Sequence, residues 1–115
     1  MGEKVLVTGA SGLLGHKLVS ELLLRKYHVI AIYNRTTIPI THDNLKRVKL
    51  DISNTLSLED FILKTKPEII IHAAAYTDVD GCEVNKEYAW KVNVNATRSI
   101  VRAARITRSY LIYVS

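Results

Sequence analysis

The chain has 115 residues, 48% hydrophobic and 23% charged, with a net charge of +5, which is the composition of one globular domain and not of a disordered chain. No run approaches the ~20 apolar residues of a membrane span, the start Met1-Gly2-Glu3-Lys4 has no signal-peptide character, and the single cysteine, Cys82, excludes an internal disulfide or a cysteine metal cluster. The cytosol is the expected compartment.

Lys4-Val5-Leu6-Val7-Thr8 is a short apolar run ending at a glycine loop, the pattern of a buried parallel strand. Leu13 to Lys26 carries Leu14, Leu18, Leu22 and Leu23 at helical spacing and predicts a helix. Val29-Ile30-Ala31-Ile32-Tyr33 predicts a second strand. Thr36 to Asn44 is polar, contains Pro39 and reads as a loop. Arg47-Val48-Lys49-Leu50 is a third, weaker strand leading to Asp51. Ser57-Leu58-Glu59-Asp60 has the form of a capped helix start, with the helix running to about Lys64 before Lys66-Pro67 stops it. Ile69-Ile70-Ile71-His72-Ala73 predicts the fourth strand, Lys86 to Ile106 a long helix, and Tyr110-Leu111-Ile112-Tyr113-Val114 a fifth strand.

This alternation gives an α/β fold: one Rossmann-type, doubly wound parallel sheet over residues 1–115, in strand order 3-2-1-4-5, with helices on both faces. Arg98, Arg102, Arg105 and Arg108 recur at helical spacing. We read them as a solvated helix face rather than a nucleic-acid contact, with a polyanion or another subunit as the alternative.

The chemistry concentrates in Thr8-Gly9-Ala10-Ser11-Gly12-Leu13-Leu14-Gly15, which lies between a strand and a helix. Gly9 allows a tight turn, Gly12 lets the backbone approach a pyrophosphate, and Gly15 lets the helix pack close to the strand. The helix N-terminus then offers free N–H groups and a partial positive charge to phosphates. Ser11, Leu13 and Leu14 join the predicted cofactor-binding set. The second strand ends in Tyr33-Asn34-Arg35, with no carboxylate to hold a ribose 2′-hydroxyl. Arg35 can pair with a 2′-phosphate, which favours NADP(H) over NAD(H) while leaving the latter open. His72, alone on a buried strand, is expected to be a satisfied core residue. Asp78, Asp80 and Glu83 lack ligand-spaced partners, so no metal site is expected.

The T-G-x-x-G-x-x-G spacing resembles that of the extended short-chain dehydrogenase/reductase superfamily. The resemblance implies that Asp51 accepts from the adenine amino group and Ile52 packs on the ring. It further implies that Ala73, Ala74, Ala75 and Tyr76 line the cofactor ribose, and that Asn93, in Val92-Asn93-Val94-Asn95-Ala96-Thr97, holds that region in place. Val114, at the end of the fifth strand, completes the set. Within the superfamily, Ala73 to Glu83 resembles the A-A-Y-T-x-V-D-x-x-E stretch of dTDP-4-dehydrorhamnose reductases, and Lys66 to Ile71 resembles that family's approach to the same strand. This implies NADPH-dependent reduction of dTDP-4-dehydro-L-rhamnose, with a nucleotide-sugar substrate and a homo-oligomer left open. Tyr33 to Thr36 also resembles the NADP-binding regulatory β subunit of methionine adenosyltransferase, the alternative reading.

No tyrosine in the chain has a lysine four residues later. The Y-x-x-x-K pair that runs the chemistry in the resembled family is therefore missing, and no catalytic residue is assigned. We expect an N-terminal portion of a longer protein, inactive alone, whose fifth strand is an apolar edge prone to self-pairing.

Overall fold

The computed structural model describes residues 2–10, 12–73 and 86–114. Its elements, in order, are β1 (Lys4–Thr8), α1 (Leu13–Leu24), β2 (His28–Tyr33), β3 (Leu45–Lys49), α2 (Thr55–Thr65), β4 (Ile69–Ala73), α3 (Lys86–Thr107) and β5 (Tyr110–Val114). All strand pairs are parallel, and the order is β3-β2-β1-β4-β5, as the alternation predicted.

Successive strand residues point to opposite faces, and the middle positions of the central strands are apolar on both, so each face has its own core. Val5, Val7, Val29, Ala31 and Ile71 pack with Val19 and Leu23 of α1. Leu6, Ile30, Ile32 and Ile70 pack with Leu58 and Ile62 of α2 and with Ala96, Ile100, Ala103 and Ala104 of α3. Small residues on α3 let it lie close to the sheet and to α2.

Several boundaries differ from expectation for identifiable reasons. The buried line of α1 is Gly15, Val19 and Leu23, while Leu18 and Leu22 flank it and Leu14 is exposed. The helix α2 starts at Thr55, not Ser57: Asn54 is its cap, its side chain accepting from the Ser57 N–H at 3.2 Å. Strand β3 begins at Leu45, two residues early, because Leu45 pairs with Val29 despite the charged residues that follow. The segment 36–44 is a loop, yet Ile38 is fully buried in the α1-side core and its carbonyl accepts from the Arg47 guanidinium at 3.0 Å. Arg108 lies beyond α3, in the left-handed region at φ 59°, so it does not extend the helical arginine face. Arg102 of that face is ion-paired with Glu59 of α2 at 3.3 Å.

Candidate dinucleotide-binding site

Of the residues singled out in the sequence, Gly9, Asn34, Arg35, Asp51, Ala73 and Val114 lie at or just beyond the C-terminal ends of parallel strands, the rim where such sheets hold their ligands. Gly9 follows β1 at φ +64°, a conformation that L side chains rarely adopt, and a Cβ there would stand 2.9 Å from the Ala73 carbonyl oxygen. The chain turns back so that the Gly12 N–H donates to the Gly9 carbonyl at 3.2 Å. Gly12 is the N-cap of α1, and having no side chain it caps none of the first-turn amides. No acidic residue occupies that turn. The amides and the positive end of the helix dipole are thus turned toward the space above β1, an arrangement suited to an anion. Gly15 is buried in that turn. A Cβ on it would overlap the Gly9 carbonyl oxygen and lie 2.7 Å from Ala10 Cα, so the helix can approach the loop only with glycine here.

Neighbouring strand ends complete the rim. The Ala10 N–H donates to the Ile32 carbonyl at 3.3 Å, tying the loop to the end of β2. The Leu50 N–H donates to the Tyr33 carbonyl at 2.9 Å, which brings Asn34 and Arg35 beside Asp51 and Ile52. Asn34, Arg35 and Asp51 are exposed, while Ile52 is half-buried against the α2–α3 core. The Asp51 carboxylate accepts from the Ser53 N–H at 2.9 Å and its hydroxyl at 2.8 Å, so it closes a turn there. Ala73 is buried at the end of β4 and paired in register with Val114. Asn93 is buried on α3. Leu13 opens α1, and Leu14 is 49% exposed beside the rim. Ser11, Ala74, Ala75 and Tyr76 lie outside the described residues, as do Asp78, Asp80, Cys82 and Glu83. Among the described residues no group of His, Cys, Asp and Glu could hold a metal ion.

The sequence reading overlooked two hydroxyls beneath this rim. Thr8 Oγ1 lies 2.6 Å from His72 Nδ1, and His72 Nε2 lies 3.1 Å from Thr97 Oγ1. The ring also packs on Tyr113, with centroids 5.3 Å apart. His72 is thus the satisfied core histidine expected from its strand, and burial pushes its pKa down to about 4. Its partners could have been found from period-two parity. Thr8 and His72 each interrupt an apolar strand at the same register position, and two buried polar groups so placed require one another.

Comparison with known proteins finds the same fold. The family model described as "RmlD substrate binding domain" matches residues 3–115. Methionine adenosyltransferase 2 subunit beta of Xenopus tropicalis is 35% identical over 116 residues, covering 99% of this chain and 32% of that protein. A crystal structure of a hypothetical dTDP-4-dehydrorhamnose reductase from Sulfolobus tokodaii is 46% identical with a TM-score of 0.78, covering 97% of this chain and 38% of that one. The Bordetella bronchiseptica enzyme WbmH, solved in complex with NAD+, is 26% identical with a TM-score of 0.76, covering 94% of this chain and 36% of that one. The chain spans about a third of the length of the curated relatives it matches.

Proposed function

We propose that this chain, which belongs to the RmlD substrate binding domain family, is the NADP(H)-binding part of a cytosolic reductase that converts dTDP-4-dehydro-L-rhamnose to dTDP-L-rhamnose. The observation that carries the reading is the glycine loop. Gly9 and Gly15 sit where a Cβ would strike backbone, and the uncapped start of α1 opens beside the ends of β2 and β4. These residues fit a dinucleotide: the first-turn amides of α1 would hold its pyrophosphate, Asp51 and Ile52 its adenine, and Ala73 and Asn93 the ribose nearer the reacting ring. A bound nicotinamide supplies the hydride, and the protein's part is to orient it and exclude water. The substrate rests on likeness to the Sulfolobus tokodaii protein.

Arg35 sets the cofactor preference in this reading, its guanidinium meeting a 2′-phosphate where many relatives of this fold class carry an acid. Calorimetric titration with NADPH and then NADH tests both points. The parent chain is expected to bind NADPH more tightly, and Arg35→Ala to lose the preference. Equal binding of both cofactors by both proteins overturns the assignment of Arg35.

A second reading has its own observation, the 35% identity to the methionine adenosyltransferase subunit over nearly the whole chain. In that reading the same site binds NADP, and the protein acts by docking on a catalytic partner. A change in the KM of a methionine adenosyltransferase catalytic subunit on addition of this chain would favour it.

A further inference from the structure

Thr8, His72 and Tyr113 form a row across three strands. Thr8 is the register partner of His72, and His72 is the register partner of Tyr113. All three occupy the final or penultimate position of their strand, immediately below the rim. Because of the two-residue period they share the α3 face, and Thr97 closes the row from above. Thr97 stands one helical turn beyond Asn93.

Each member of the row is joined to a different piece of the candidate site. Thr8 is bonded directly to Gly9, the residue held at φ +64°. Its hydroxyl also reaches the Ala73 carbonyl at 3.5 Å, the same carbonyl that crowds Gly9. Tyr113 precedes Val114. The His72 ring is 1% exposed and Thr8 fully buried, so water does not compete for the contact between them, while the contact to the half-buried Thr97 is partly shielded. A neutral imidazole serves both hydroxyls at once, one nitrogen donating and the other accepting.

We propose that His72 is a positioning residue for dinucleotide binding: through Thr8 and Thr97 it fixes the glycine loop and α3 against the end of β4. The inference rests on the dinucleotide reading given above. It concerns the pyrophosphate side of the site, because the members of the row belong to β1, β4 and β5 and not to β2 or β3, whose ends would hold the adenosine.

That asymmetry supplies the test. NADPH and adenosine 2′-monophosphate are titrated into the parent chain, Thr8→Val, Thr8→Ser and Thr97→Val, with thermal unfolding of each. Thr8→Val and Thr97→Val are expected to weaken NADPH binding roughly three- to tenfold, the net worth of one intramolecular hydrogen bond. Their affinity for adenosine 2′-monophosphate stays at the parent value, and Thr8→Ser binds NADPH like the parent. Should Thr8→Val fail to fold, Thr97→Val carries the same expectation from the far end of the row. Loss of both ligands in proportion to a fall in melting temperature overturns the inference, as does NADPH binding unchanged in Thr97→Val. If the parent binds neither NADPH nor NADH, the dinucleotide reading falls and this inference with it. If the parent binds NADPH and the variants match it, only the inference falls.

Discussion

His72 is also the residue whose titration the fold opposes. Its ring faces the Thr8 and Thr97 hydroxyls and the Tyr113 ring, and burial lowers its pKa from 6.5 to about 4. The unfolded chain therefore binds a proton that the folded chain refuses across that interval. The His72 contribution is complete above pH 6.5, declines as pH falls, and is fully lost below about pH 4. The loss is of order 3 kcal/mol, from the size of that displacement. Urea unfolding of the parent and of His72→Asn at pH 7.0 and 4.5 checks this. The parent's advantage is expected to shrink on acidification, and a difference independent of pH would refute it. The same residue shows what a sequence reveals at this scale. Gly9 and Gly15 were legible because backbone geometry admits one residue type at each position. Thr8 and Thr97 were not, because a hydroxyl declares its role only when a partner from another element arrives, here across 64 and 25 positions of sequence.

At the level of elements, each of the three described helices is followed by a residue in left-handed backbone, a conformation the sequence pattern did not indicate. Lys26, Lys66 and Arg108 each adopt positive φ, of 68°, 48° and 59°, a conformation in which glycine is usual. After α1 the Lys26 N–H donates to Leu23 and the Tyr27 N–H to Leu22, and after α3 the Ser109 N–H donates to Ala104. After α2 the Lys66 N–H donates to Ile62, and Pro67, having no N–H, cannot supply the further bond. A cation at this point favours the negative end of the helix dipole, but the Cβ in left-handed backbone costs ~1 kcal/mol. Lys26→Gly and Arg108→Gly are each expected to stabilise the chain by about 0.5 kcal/mol after the extra entropy of glycine is subtracted. Thermal unfolding decides it, and a lowered melting temperature in both would show that the charge outweighs the strain. Apolar runs made the central strands legible and helical apolar spacing made α1 legible, since packed elements leave little room for polar residues, while α2 was read from its cap-like start and its proline stop. Apolar periodicity failed at ends and edges. The β3 boundary was blurred by Lys46, Arg47 and Lys49, and Ile38 was hidden in a polar segment. The start of α2 was fixed by Asn54, outside the apolar pattern.

Across the whole molecule the two margins of the sheet are built differently. On β3, Lys46, Arg47 and Lys49 are exposed, and Arg47 is tied to the preceding loop, features that discourage strand addition. On β5, Tyr110, Ile112 and Tyr113 are 69%, 40% and 51% exposed, and no charge interrupts the strand. The isolated chain is expected to self-associate through β5. Light scattering across a concentration series should show a rising mass for the parent and a constant monomer mass for Ile112→Lys. A monomeric parent at high concentration would refute it. The strand order has another consequence. Because β1 lies between β2 and β4, a chain emerging from the ribosome can close β1, α1 and β2 on themselves early, while the opposite flank of β1 waits for residues 69–73. The glycine loop thus precedes β4 in the chain and is flanked on both sides only after β4 has joined the sheet. Ala73 and Asn93 belong to β4 and α3, so the rim has all its described parts only once those two elements have joined the sheet.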